Sequence, residues 1–175
     1  MLLGSEIIRK LILKKGLIQD YIDLNSQLQP NGFDMTVQKI YKLYGAGIIT
    51  CDSKTLPELK EIITSSRRWF LKKGVYLIQF NEIIKLPKDI AAFSIQRSSI
   101  IRCGNIVNVA SWDSGYNGRG QNVLLVNNPD GLSLEKNARV VQIHFINVKG
   151  KHISYNGHYQ KENIEKVKNK KGVNI

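Results

Sequence analysis

From residue 69 onward the chain is a succession of short apolar or alternating runs, each closed by turn residues. Trp69-Phe70-Leu71 meets Lys72-Lys73-Gly74, and Val75-Tyr76-Leu77-Ile78-Gln79-Phe80 follows. Leu86-Pro87-Lys88-Asp89 marks another turn, and further runs occupy 91–96, 106–110, 121–127 and 139–148. A strand sends successive side chains to opposite faces, so runs of this length and alternation suit strands, and little helix fits after residue 67. The spacing predicts a mainly β chain, either a sandwich or a distorted, jelly-roll-like β-barrel. With 175 residues, 42% of them hydrophobic, there is enough apolar surface for one β-rich domain over residues 1–149.

The first part of the chain reads differently. Residues 5–15 predict a short helix with Ile7, Ile8, Leu11 and Ile12 on one face, Ser5 as its cap and Gly16 as its end. Residues 17–28 alternate loosely and read as extended. Pro30-Asn31-Gly32 is a turn signal before the strand Phe33-Asp34-Met35-Thr36-Val37. Asp34 reads either as a turn-side acid bonded to local backbone amides, the commoner case, or as a carboxylate that orders metal-bound water. Residues 41–66 are ambiguous: Thr55, Pro57 and Glu58 resemble a helix cap, yet Ile62-Ile63-Thr64 suits a strand. From residue 150 to 175 the chain is polar and lysine-rich, too poor in apolar residues for the core, and reads either as a basic flexible end or as an arm that folds over something charged.

Composition removes several chemistries. Cys51 and Cys103 are isolated, without a Cys-x-x-Cys or a nearby histidine, which argues against a zinc site, a disulfide framework and zinc-dependent base deamination. Both are expected to be small buried thiols. No apolar run approaches the ~18 residues of a membrane span, and the N-terminus has no signal-peptide layout, so we expect a cytoplasmic protein. The net charge of +12 is spread along the chain, which fits a solvated surface better than a nucleic-acid footprint. There is no Walker loop, no His-Glu-x-x-His and no dinucleotide-binding glycine fingerprint.

Two stretches carry candidate chemistry. Arg97-Ser98-Ser99 ends an alternating strand and offers a guanidinium fork, hydroxyls and turn amides to phosphate oxygens, with Arg102 three residues on. An ordinary polar turn is the plain alternative. Trp112-Asp113-Ser114-Gly115-Tyr116-Asn117-Gly118-Arg119-Gly120 combines a carboxylate able to deprotonate water, a ring able to lie on a sugar, and glycines where another group approaches the backbone. A β-turn with a packing tyrosine is the plain alternative there. The strand at 121–127 is apolar through its middle, which suits burial on both faces. In the last strand Val141, Ile143 and Phe145 share one face, leaving Gln142, a phosphate or ribose ligand or a solvent-facing amide, and His144, a surface or satisfied histidine.

In this order the pieces resemble the dUTP pyrophosphatase and dCTP deaminase superfamily. Gln29-Pro30-Asn31-Gly32-Phe33-Asp34 resembles its first motif, residues 95–102 its second, residues 112–118 its third and residues 138–143 its fourth. Tyr155-Asn156-Gly157-His158-Tyr159-Gln160 is similar to the arm of the deaminase branch, although His158 and Glu162 replace a frequent lysine and glutamine, and Gln96 replaces the usual glycine before Arg97. The resemblance implies a dUTPase-like barrel and a homotrimer with sites between subunits. It implies Mg²⁺-assisted hydrolysis of dUTP to dUMP and pyrophosphate, with Asp113 activating water. Arg97, Ser98, Ser99, Arg102 and Gln142 would hold phosphates, and Tyr116 would stack on the deoxyribose. The backbone of Asn122, Val123 and Leu124 would read uracil, and Tyr155, Tyr159 and Gln160 would close over the nucleotide. Asp34 would touch the metal, if at all, through water. Deaminating members carry a proton-shuttling glutamate where this chain has Val123, Leu124 or Leu125, so deamination is not expected. The alternatives are a dCTP deaminase or bifunctional enzyme with another proton carrier, and a non-catalytic protein that senses dUTP or grips nucleic acid.

Overall fold

The structure, a computed structural model, describes residues 1–108 and 110–164. Helix α1 (Ser5–Lys15) forms where expected, burying Ile8 and Ile12. Lys14 and Lys15 sit at the negative end of its dipole, and Gly16 closes it at φ 63°, a left-handed conformation that a Cβ would resist. The Ser5 cap is not made: Ser5 is the first helical residue and Gly4 takes the cap position without a side-chain bond. Residues 17–28 are only partly extended. Strands β1 (Ile18–Gln19) and β2 (Leu28–Gln29) flank a single-turn helix, α2 (Leu24–Gln27), which forms because Asp23 accepts from the Asn25 amide and caps it.

The molecule is built on β3 (Gly32–Tyr44), whose first half is buried on both faces. The ambiguous segment after it is strand: β4 (Ile48–Ile49) and β5 (Lys54–Thr55) make a hairpin, and β6 (Glu58–Glu61) returns along β3 with Leu59 opposite Leu43. The expected cap at Thr55 opens no helix. β7 (Arg68–Leu71), β8 (Gly74–Phe80), β9 (Ile83–Lys85) and β10 (Ile90–Gln96) follow. The Arg97-Ser98-Ser99 turn is the start of a further single-turn helix, α3 (Ser98–Arg102). β11 (Asn105–Val107), β12 (Ser111–Trp112), β13 (Asn117–Gly118), β14 (Gln121–Val126), β15 (Leu132–Glu135) and β16 (Arg139–Asn147) complete the order.

Among the described residues, nine strands join into one curled sheet, in the order β11-β14-β8-β3-β16-β10-β12, with β2 and β6 also paired to β3. β3 pairs with β16 along its first half and with β8 along its second, and the register slips at Val37/Lys39 and at Arg139/Val141. Such bulges sharpen bend and twist, so one long strand serves both walls of a half-barrel. Phe33, Met35, Ile78, Phe80, Leu124, Ile143 and Phe145 fill it without exposure to solvent. Burial of this kind stabilises at about 25 cal/mol per Å² of apolar surface, and the mainly β, barrel-like expectation holds.

Two further expectations change. β14 alternates instead of burying both faces: Asn122, Leu124 and Val126 are inward, while Gln121, Val123 and Leu125 are half-buried. Both cysteines are exposed, because Cys51 lies between the hairpin strands β4 and β5 and Cys103 ends α3 at the surface. No helix among the described residues is long and apolar enough to cross a membrane. Of the basic arm, residues 154–163 fold back on the barrel, and residues 165–175 lie outside the described residues.

Candidate active site

The candidate residues separate into two cavities that share no lining residue. The larger, about 410 Å³, is aromatic and apolar. β12 supplies Trp112, the loop after it Asp113 and Tyr116, β14 supplies Gln121 and Asn122, and Leu43, Leu59 and Leu77 form an apolar wall. Asp113 is exposed, whereas Tyr116 is buried. The Tyr116 ring meets Trp112 edge-on at 5.3 Å and Tyr155 at 5.8 Å. The glycine cluster now has a reason: a Cβ on Gly120 would strike the Trp112 ring, and one on Gly118 would strike the Tyr116 hydroxyl. The group that approaches the backbone is the chain's own aromatic side chain.

The arm closes this cavity. The Tyr155 amide donates to the Ser114 carbonyl at 2.8 Å, and Gln160 both accepts from the Asn117 amide at 2.8 Å and donates to the Gly115 carbonyl at 2.9 Å. The Tyr116 hydroxyl donates to Glu162 Oε1 at 2.8 Å. Burial pushes both groups up, Tyr116 far above its usual range and Glu162 in the same direction. Tyr155, Tyr159 and Glu162 line the cavity; Gln160, expected over the nucleotide, instead staples the arm to the loop. On the opposite rim Lys54 of β5 lies 4.6 Å from the centre of the Tyr159 ring. Glu162 stands out in sequence only as a departure from the arm's frequent glutamine, and the buried Arg119, which donates to Asp20 at 2.7 Å and to the Asn81 carbonyl, does not stand out at all. Arg119 sits between two glycines and reads there as part of a turn.

The smaller cavity, about 290 Å³, is polar. The β16 register places Gln142 opposite both Asp34 of β3 and Ile95 of β10, and the Arg97 amide donates to the Val140 carbonyl at 2.9 Å. This puts Arg97, Ser98 and Gln142 on one lining with Asp34. Asp34 is fully buried, 3.1 Å from Arg97 Nε and 3.4 Å from Arg139 Nη1, and accepts from Gln142 Nε2 at 3.1 Å. It is therefore not a turn-side acid bonded to local backbone amides: its side-chain partners are two arginines and Gln142. Burial pushes its carboxyl up, against the pull of Gln142 and the two arginines. Gln142 is correspondingly no solvent-facing amide. His144 Nδ1 lies 2.8 Å from the Asn31 carbonyl and its ring stacks on Phe93 at 5.3 Å, the satisfied histidine expected. Ser99 and Arg102 are exposed on α3 and line neither cavity.

The dCTP deaminase-like family matches residues 2–148. The chain belongs to that family. Among dCTP deaminase-like relatives, a probable deoxyuridine 5'-triphosphate nucleotidohydrolase of Archaeoglobus fulgidus is 45% identical over 93% of this chain and 98% of the relative. One from Methanosarcina mazei is 39% identical over 93% and 98%. Among solved structures, the 2'-deoxycytidine 5'-triphosphate deaminase from Agrobacterium tumefaciens superposes with a TM-score of 0.63 at 19% identity. It covers 82% of this chain, which spans 47% of that deaminase, and at this identity it shows the dCTP deaminase-like fold alone.

Val123 stands opposite Leu77 in the β14–β8 register, so the two share a sheet face, and Leu77 lines the aromatic cavity. That position is apolar. Leu124 turns into the core without exposure, and the Val123 carbonyl accepts from the Asn108 amide at 2.8 Å. Leu124 and the Val123 carbonyl are thus committed to packing and pairing, and Asn122 is the residue of the expected base-reading three that lines the cavity.

Proposed function

We propose that this protein hydrolyses dUTP to dUMP and pyrophosphate and does not deaminate dCTP. The observation that carries the reading is the aromatic cavity itself. It presents one exposed carboxylate, Asp113, beside a buried tyrosine and an apolar wall of Leu43, Leu59 and Leu77, and the neighbouring run Val123-Leu124-Leu125 offers no acid. Nearly full-length relatives carrying the dUTP nucleotidohydrolase name support it.

In this reading the base enters the aromatic cavity past Asn122, and the deoxyribose rests on Tyr116, whose buried ring leaves no room for a 2′-hydroxyl. Asp113 orients a water and takes its proton as the oxygen attacks the α-phosphorus. Arg97 and Ser98, with Gln142, hold the phosphates, and Tyr155 and Tyr159 keep solvent from the sugar. Among the described residues no three His, Cys, Asp or Glu side chains converge. In our reading a divalent ion, Mg²⁺, would be carried chiefly by the triphosphate, with Asp113 the carboxylate at hand. Such an ion supplies charge neutralisation on the phosphates. Because the two cavities are separate on one chain, we assign the complete site to a homotrimer in which Arg97 serves a neighbour's nucleotide. The test is incubation with Mg²⁺ and either dUTP or dCTP, following pyrophosphate and ammonia. Pyrophosphate from dUTP with no ammonia from dCTP is expected. Ammonia from dCTP would overturn the exclusion of deamination, and silence with dUTP would overturn the hydrolase.

A further inference from the structure

One carboxylate remains without a role in this scheme. Glu82, between β8 and β9, is fully buried. No lysine, arginine or histidine lies within ion-pair distance of it among the described residues. A bare carboxylate in a protein interior costs several kcal/mol, so its retention calls for a use. Its neighbours are all hydrogen-bond donors. Thr36 gives its amide to Oε2 at 2.9 Å and its hydroxyl to Oε1 at 2.6 Å, and Gln27 Nε2 reaches Oε1 at 2.7 Å. The same Gln27 nitrogen donates to the backbone carbonyl of Asp34 at 2.8 Å.

Asp34 and Thr36 are two residues apart on β3 and so share one face of the strand. Glu82 grips that face at Thr36 directly and at Asp34 through Gln27. The side chain of Asp34 in turn holds Arg97 and Arg139. Hydrogen bonds thus run from the buried Glu82 carboxyl to β3 at Thr36 and Asp34, and an ion pair runs on from Asp34 to the guanidinium that lines the basic cavity.

We infer that Glu82 is a positioning residue for triphosphate binding: it fixes β3 at Asp34 and Thr36, and through Asp34 it sets where Arg97 points. This deepens the dUTP reading above and rests on it. A glutamine at this place keeps the volume but turns an NH₂ toward a ring of donors, one of which must move away. Displacements well under a bond length at a phosphate clamp are costly, and we expect about a tenfold loss in affinity.

The experiment measures binding of inorganic tripolyphosphate and of α,β-imido-dUTP to the full chain, together with kcat and KM for dUTP. Glu82→Gln should weaken both ligands about tenfold, raise KM to match, leave kcat within about twofold, and add nothing further in an Arg97→Ala background. Unchanged affinity, or the same added loss in both backgrounds, would overturn the inference, because a merely structural role lowers the folded fraction without regard to Arg97. If Glu82→Gln does not fold, Thr36→Val decides: it removes the hydroxyl that donates to Glu82 and accepts from Asn81 Nδ2 at 2.9 Å, and a severalfold weakening of tripolyphosphate is expected, wild-type affinity contrary. Wild-type protein that bound neither ligand and released no pyrophosphate would remove the dUTPase reading itself, a result distinct from a Glu82 variant that behaves like wild type.

Discussion

The two cavities are made by opposite means. The aromatic one is shaped by packing: rings of Trp112, Tyr116 and Tyr155 settle onto glycine backbone, and the chain's own arm covers them. The basic one is shaped by charge: a buried aspartate on β3 holds arginines that start α3 and β16. The first is suited to a neutral, flat ligand part and the second to an anionic one. Packing selects by shape, whereas a guanidinium fork selects by charge and works across a gap. A nucleoside triphosphate has both parts, and one copy of the chain keeps their receptors apart.

Removing the acid from the aromatic side should have the largest effect. Asp113→Asn is expected to lower kcat about 10³-fold while α,β-imido-dUTP still binds, and near-normal turnover would take Asp113 out of the chemistry. The basic side should respond in affinity instead. Arg97→Ala deletes charge-assisted hydrogen bonds worth about 1.5–3 kcal/mol, so KM for dUTP should rise about 10- to 100-fold, and tripolyphosphate binding should fall in step. Equal losses in kcat from both variants would erase the division of labour between the cavities.

A smaller effect should come from pH. Burial raises the Glu162 carboxyl in the docked arm, and the Tyr116 hydroxyl that donates to it opposes the rise only in part. The docked arm therefore holds this proton more tightly than a free arm would. Docking should be fullest at or below the ordinary carboxylate range and weaken as pH rises through the raised value. Tryptophan fluorescence, which reports Trp112 against Tyr116, should shift across that window in the wild type and stay flat in Glu162→Gln. A flat wild-type profile would detach Glu162 from arm closure.

How far these features could be read in advance depends on the range of the interactions behind them. The strands after residue 69 and helix α1 follow from local alternation and periodicity, and they form where expected. The roles of Asp34 and Gln142 were not legible, because their partners are set by the β3–β16–β10 register, across more than a hundred residues of chain. Residues 41–66 stayed ambiguous because Leu43 and Leu59 are held by pairing with each other in the sheet, not by local propensity. Composition left two readings of the arm open: Tyr155, Gln160 and Glu162 anchor residues 154–163 with a few specific bonds, which an average over polar residues hides. Glu82 gave no signal, since a lone glutamate between two strands looks like a surface residue until its burial is known.

In the proposed trimer the two cavities become one site only between copies of the chain. The most direct test is to combine Asp113→Asn and Arg97→Ala subunits in one assembly, by co-expression or joint refolding, and to follow pyrophosphate release from dUTP. Random mixing in a trimer leaves both halves intact at roughly a quarter of the sites, so recovery to about that fraction of wild-type activity is predicted. Mixed assemblies no more active than the two separate variants would place Asp113 and Arg97 at the same site of a single chain and contradict the claim.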